Sequence, residues 1–157
     1  MHRNVTAIYR THAVADQVRR ELTEAGLLGT HVKVVPDRDD ALAAGTHRDE
    51  ASYRTDLDHL GLPEDDQHTY EQAVRRGDYI VSARVDDDDD TSNLDRVKEI
   101  MRHPEAQSFD TLNDEFVNTP RSSHVAGTNV VRGRRDTEYD YGDESVRGYR
   151  YDKPYNP

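Results

Sequence analysis

The sequence predicts an α+β protein with a ferredoxin-like sheet, built from two βαβ-sized units and followed by an extended C-terminal arm. Each unit, residues 4–35 and 79–110, spans about thirty residues, which is the length of a βαβ crossover. In both units a run rich in β-branched and aromatic residues precedes a run with helical apolar spacing. Two such units in a short chain favour a split βαβ sheet with its helices on one face. We therefore expect a domain over residues 1–112 and an arm over residues 113–157.

The first unit has a clear start and end for each of its elements. Residues 4–9 predict a strand, and Thr11 is a suitable N-cap because its hydroxyl can accept a hydrogen bond from a free backbone N–H. Gly26 suits the conformation that ends the following helix. Residues 31–35 alternate as a second strand, which Pro36 closes.

The segment between the units predicts one good helix. Residues 39–57 are polar without a sustained period and indicate a loop or a weak helix. Pro63 and the acids that follow it favour a helix start, and Gly77 favours its end. Three apolar side chains of this helix should face the sheet: Tyr70, Ala73 and Val74.

The second unit follows directly. Residues 79–85 predict a strand, and residues 91–103 predict a helix that Pro104 ends. The apolar residues of that helix recur at helical spacing: Leu94, Val97, Ile100 and Met101. Residues 107–109 can then return as the fourth strand.

The arm has a different composition from the body. Residues 118–157 carry seven basic and six acidic side chains, no leucine or isoleucine, and five of the nine tyrosines. Val131-Arg132-Gly133 recurs as Val146-Arg147-Gly148, an echo at a distance of fifteen residues. So little apolar area cannot offset ~1–2 kcal/mol of backbone entropy per residue. We therefore expect the arm to gain order by docking on neighbouring copies, with its tyrosines as anchors.

The bulk composition narrows the classes of function. The net charge is −11, so we expect no nucleic-acid partner recruited by the overall field. The chain has no cysteine, which excludes disulfides and thiolate chemistry. We find no apolar run of the ~20 residues that a membrane helix needs and no apolar signal stretch, so we expect a soluble cytoplasmic protein.

One stretch carries a family resemblance. Residues 61–77 read GLPEDDQHTYEQAVRRG, between a βαβ start and the strand that opens with Tyr79. Over residues 3–110 this resembles the bacterial heat-induced, or general stress, proteins. The chain departs from that family at residues 39–58, where a glycine- and alanine-rich apolar segment is replaced by a short charged one. The resemblance implies a stress-related, non-enzymatic protein and supplies no catalytic residues.

The run Asp86–Asp90 is the most conspicuous candidate for a cation site. Clustered carboxylates suit hard divalent cations, but the calcium-loop template fails: Thr91 stands at its glycine position and Val97 at its glutamate position. The alternative interpretation is a solvated loop before a helix N-terminus, where the macrodipole favours negative charge.

Two further motifs are weaker. The eight histidines lack any pair at zinc-ligand spacing and have no cysteine partners. Arg132-Gly133-Arg134-Arg135 resembles segments that stack on single-stranded RNA, but nearby acids cancel its field, which favours a protein-docking role. The scattered histidines are the following: His2, His12, His31, His47, His59, His68, His103 and His124.

Two main functional hypotheses remain open from the sequence, beside the weaker one of RNA binding through the arginines of the arm. The first is a non-enzymatic, stress-associated protein that assembles into an oligomer or filament through its arm, with no catalytic, cofactor or metal residues. The alternative is a small-ligand or divalent-metal sensor that uses the turn at Asp86–Asp90.

Overall fold

The structure is a computed structural model, and part of the chain is described in it. The described residues are 2–26, 32–35, 49, 53–86, 91–102, 105–116, 118, 134–135 and 146–151.

The strands form one antiparallel sheet in the order β2-β3-β1-β5-β4. Because β3 lies between β1 and β2, and β5 lies on the other side of β1, the four longer strands have the order of a split βαβ sheet. The predicted α+β class is confirmed. The strands are β1 (His2–Tyr9), β2 (Val32–Val35), β3 (Tyr79–Asp86), β4 (Arg134–Arg135) and β5 (Arg147–Tyr151).

The helices begin close to where the sequence predicts them in both units. At Thr11 the hydroxyl accepts from the backbone N of Val14 at 3.2 Å, as expected of an N-cap. Gly26 and Gly77 have φ angles of 112° and 120°, which favour glycine after a helix. The helices are α1 (His12–Glu24), α2 (Arg54–His59), α3 (Glu64–Arg76), α4 (Thr91–Met101) and α5 (Phe109–Phe116).

Helices cover both faces of the sheet, so the expectation of helices on one face is wrong. Successive strand residues point to opposite faces. Ala7 packs in a cluster with α1 and α4, through residues such as Val18 and Val97. The next residue, Ile8, packs in a second cluster with α2, α3 and α5. The predicted contact of α3 with the sheet is confirmed, because Tyr70, Ala73 and Val74 all belong to that second cluster.

Residues 107–109 do not form the predicted fourth strand. Ala106 makes a single bridge to Tyr9, and α5 begins at Phe109. Ser108 starts this helix, since its hydroxyl accepts from the backbone N of Thr111 at 3.2 Å. Phe109 and Leu112 are buried one turn apart, which is helical spacing that the strand interpretation overlooked.

The fourth strand comes instead from the arm. β5 pairs with β1, and its neighbour β4 pairs with β5 at the edge of the sheet. The body therefore does not end at residue 112, because Val146 and Tyr149 lie in its two cores. Other parts of the arm, including residues 119–133 and 136–145, lie outside the described residues.

Candidate functional site: a docking site for the C-terminal strand

Among the described residues, a cluster of polar side chains lies where β5 joins the body. Val146, the residue before β5, is 0% exposed and packs in the core under α1 and α4. On the other face of the sheet, Arg147 and Tyr149 reach toward α3 and α5. We call the surface that receives them the strand-docking site. It consists of the β1 edge together with Asp66, Tyr70, Phe109 and Asp110.

Tyr149 is the central anchor of this arrangement. It is fully buried, and its hydroxyl donates to Oδ2 of Asp66 at 2.7 Å and lies 2.9 Å from the hydroxyl of Tyr70. Burial, with smaller contributions from Tyr70 and Asp66, raises the pKa of Tyr149 well above its ordinary value. The phenol therefore stays protonated and acts as a donor. The Tyr70 ring packs against Phe109 with centroids 4.9 Å apart, which closes the apolar side of the site.

Arg147 supplies the charge in the docked strand. Its side chain is 11% exposed and lies between two carboxylates: one Nη donates to Asp110 at 2.7 Å and the other to Asp66 at 3.4 Å. The guanidinium carbon lies 3.8 Å from the ring centroid of Phe109, which is a close cation–π contact. Because Asp110 is 61% exposed and Asp66 only 17%, water screens the Asp110 pair far more.

The helix that carries Asp66 and Tyr70 is itself held from several sides. All residues from 67 to 74 in α3 are buried, although several are polar. Arg54 in α2 pairs with Glu71 at 2.6 Å, and both side chains are almost fully buried. Thr69 donates to Asn113 of α5 at 3.0 Å. These ties fix the helix, so Asp66 and Tyr70 meet the strand in a preorganised position.

The chemistry of the cluster suits recognition of a strand better than catalysis. A tyrosine whose pKa is raised does not serve as a base at neutral pH. Oδ2 of Asp66 already accepts from Tyr149 and Arg147. What the arrangement does is hold an extended segment with backbone pairing on one side and charged and aromatic anchors on the other.

The candidate sites of the sequence fall largely elsewhere. Asp86 ends β3, and the rest of the aspartate run, residues 87–90, lies outside the described part of the chain. Within the described part, no three histidine, aspartate or glutamate side chains are grouped so as to hold a metal ion. Arg134 and Arg135 form β4, while residues 132 and 133 fall outside the description.

The histidines with described side chains serve different local contacts. His12 lies edge-on to Tyr79 with ring centroids 5.5 Å apart, beside the start of α1. His68 places Nε2 at 3.1 Å from the backbone O of Phe116, linking α3 to α5. Four of the eight histidines considered as metal ligands lie outside the described residues: His31, His47, His103 and His124.

The sequence predicts other roles for two residues of this arrangement. The acids after Pro63, which include Asp66, are expected to start a helix, and the tyrosines of the arm, which include Tyr149, are expected to anchor a neighbouring copy. The alternation of Val146 and Gly148 with Arg147 and Tyr149 is the signal that could have indicated a strand. It was overlooked because a strand of this kind buries tyrosine and arginine instead of aliphatic residues.

Comparisons with known proteins do not extend this description. No family model, curated protein or solved structure matches the chain. Membership of the general stress proteins therefore stays a prediction. Across the helices that are described, none combines the length and the apolar character needed to cross a lipid bilayer.

Proposed function

We propose that this chain is a non-enzymatic, cytoplasmic, stress-associated interaction protein that assembles by exchanging its C-terminal strand between copies. The observation that carries the proposal is β5, an arm segment whose anchors Arg147 and Tyr149 fill a specific site on the body. A site that holds this strand from its own chain can hold the same strand from a second copy with the same contacts.

The connection between body and strand supports exchange. Residues 117–145 join α5 to the segment that enters the docking site, and a tether of about 30 residues can extend to roughly 100 Å. At each site the strand of the same chain competes with the strands of other copies, and only the second kind of docking depends on the protein concentration. The exchanged fraction therefore rises with total protein concentration, because the docked contacts are the same in both forms.

The charge of the chain opposes assembly and makes it dependent on salt. Each copy carries a net charge of −11, so two copies repel one another at low ionic strength. The contact of Arg147 with Asp66 is present in both the closed and the exchanged form. Salt weakens it equally in the two forms, so it does not change the equilibrium between them. Salt should therefore increase the exchanged fraction.

Pairs of cysteines introduced across β1 and β5 test the proposal directly, since the natural chain contains no cysteine. Arg3 and Arg150 are Cα partners, and so are His2 and Tyr151. Opposite residues in antiparallel strands lie about 4.5–5.5 Å apart, within the range that a disulfide spans. Opposite residues alternate between hydrogen-bonded pairs and the closer, non-hydrogen-bonded pairs, so one of two successive pairs is of the closer kind. We therefore use both variants, Arg3→Cys/Arg150→Cys and His2→Cys/Tyr151→Cys.

The mass of the oxidised product reports which copy supplied the strand. We expect disulfide-linked dimers on a non-reducing gel, with a yield that rises with protein concentration before oxidation. Arg3→Cys alone is the control for accidental collisions between copies. Cross-linking that gives only monomers at every concentration would show that the strand stays with its own body and would refute the exchange.

The stress association rests on the resemblance of residues 61–77 and has its own test. If it holds, the protein's abundance in its source cells rises after a shift in temperature or osmolarity. Quantitative mass spectrometry before and after the shift measures this. Constant abundance under both shifts would remove the stress role and leave the assembly proposal intact.

A further inference from the structure

The strand-docking site distinguishes each position of the strand that it holds. Val146 enters the core under α1 and α4, and Gly148 is buried opposite Val5 of β1. Arg147, opposite Thr6, meets the two carboxylates of the site. The site therefore accommodates a strand with valine, arginine and glycine in succession, followed by a residue directed at Asp66.

The chain carries this pattern twice. Residues 131–133 repeat the valine, arginine and glycine of residues 146–148, and Arg134 stands where the second copy has Tyr149. Placed in the register of β5, Arg132 would lie opposite Thr6 and could meet the same two carboxylates. Arg134 would bring a second cation toward Asp66, in place of a phenol that donates to it.

Strand pairing decides which copy can supply this second segment. β5 runs antiparallel to β1, and β4 runs antiparallel to β5, so β4 is parallel to β1. While β5 is docked, Arg134 and Arg135 of the same chain therefore lie beside it in the direction opposite to the one that the site receives. Because β4 pairs with β5, these residues leave with β5 when it moves to another body, and the emptied site is open to residues 131–135 of a second copy.

We propose that residues 131–135 of a second copy are an additional ligand of the strand-docking site. The inference rests on the proposed assembly and deepens it, because an arm with two docking segments can connect two neighbouring bodies. Residues 131–135 lack the ring of Tyr149, whose burial and hydrogen bonds anchor β5. They are therefore the weaker ligand and occupy sites that β5 has left.

A displaced cysteine pair tests this occupancy in the full chain. In the register of β5, Arg135 takes the place of Arg150 opposite Arg3, and Asp136 takes the place of Tyr151 opposite His2. As β4, however, Arg135 lies two strand spacings from β1, or about 10 Å, which exceeds the reach of a disulfide. The variants Arg3→Cys/Arg135→Cys and His2→Cys/Asp136→Cys therefore cross-link only when the second segment fills the site.

The matched control places the cysteine in the same arm but away from the pattern, as Arg3→Cys/Ser123→Cys. We expect disulfide-linked dimers from a pattern pair at a severalfold higher yield than from this control. Arg147→Ala, which weakens the resident strand, should raise that yield, and Arg132→Ala should lower it severalfold, whereas Arg121→Ala should not.

The outcomes separate this inference from the assembly proposal. Dimer yields equal to that of the control would overturn the second ligand, even if the β5 pairs cross-link between copies. Cross-linked monomers would overturn it as well, since they would show that residues 131–135 reach the site of their own chain. Dimers from the pattern pairs alone would support the second ligand and refute exchange of β5.

Discussion

Replacing Arg147 by glutamine tests whether the charged anchor of β5 holds the strand to the body. Glutamine keeps a polar side chain but removes the positive charge and shortens the reach. Its matched control is Arg20→Gln on α1, where an arginine also pairs with a carboxylate of its own chain. The two arginines differ in exposure, since the side chain of Arg147 is 11% exposed and that of Arg20 is 67% exposed.

The magnitude follows from the contacts of each guanidinium. For Arg147 we estimate about 1 kcal/mol from the long, partly buried bond to Asp66 and about 1 kcal/mol from the cation–π contact with Phe109. The exposed pair with Asp110 adds at most about 0.5 kcal/mol. The total is roughly 2–2.5 kcal/mol, against at most about 0.5 kcal/mol for the i,i+4 pair of Arg20 with Asp16.

Urea unfolding of both full-length variants at low micromolar protein measures this difference. We expect Arg147→Gln to lower the free energy of unfolding by about 2–2.5 kcal/mol, or the melting temperature by about 4–10 °C, and Arg20→Gln to leave both nearly unchanged. Equal and small effects of the two substitutions would show that Arg147 behaves as a surface arginine and does not anchor β5.

Three further predictions concern the same strand. Tyr149→Phe keeps the ring but removes the donor to Asp66, and should lower the free energy of unfolding by about 1.5–3 kcal/mol. A double-mutant cycle with Asp66→Asn should show coupling between the two substitutions, and additive effects would contradict the hydrogen bond. Burial raises the pKa of Tyr149 and of Tyr9 above their ordinary value, so their stabilising contribution is complete below pH ~10 and is lost as the pH rises further, by up to about 1.4 kcal/mol per tyrosine at pH 11. Urea titrations at pH 8 and 11 measure this loss, which should be smaller in Tyr149→Phe; an equal loss would place the Tyr149 phenol in water. A chain ending at Asn118 lacks β5, and so loses the pairing of β5 with β1 and the hydrogen bond between the hydroxyls of Tyr149 and Tyr70. It should therefore unfold at lower urea than the full chain, and an unchanged midpoint would show that β5 adds nothing to stability.

The sequence predicted the parts of the fold that depend on aliphatic periodicity. β1, α1, α3, β3 and α4 each combine apolar residues at a clear interval with a recognisable end, such as Thr11 or Gly77. In those elements the local pattern and the tertiary packing favour the same structure. The α+β class follows from them.

The fourth strand was misplaced because two short segments compete for that role. Residues 107–109 follow a helix at the right distance, but Phe109, Leu112 and Phe116 align on one face of a helix that packs under α3. The real strand lies far along the chain, and its burial depends on Tyr149, whose hydroxyl needs partners from α3. Burial of this polar segment is favourable only because Asp66 and Tyr70 supply hydrogen-bond partners for Tyr149, and the sequence alone does not place them beside it.

The same dependence explains why the docking site could not be assembled from the sequence. Asp66, Asp110 and Arg147 are separated by many residues, and each resembles an ordinary surface charge when taken alone. Only the arrangement of β5 beside β1, with α3 and α5 above it, brings their side chains together. The expectation of helices on one face also left out the second helical layer, α2, α3 and α5, which carries the site.

Charge reversal across the docking site is the measurement that tests strand exchange most directly. Asp66→Arg and Arg147→Asp each place like charges together when a chain docks its own strand. In a mixture, each body can receive a strand of opposite charge from the other variant, with one native and one reversed pair. We expect light scattering of the equimolar mixture to give the mass of a dimer that neither variant forms alone. A mixture that scatters as the sum of its two components would contradict strand exchange.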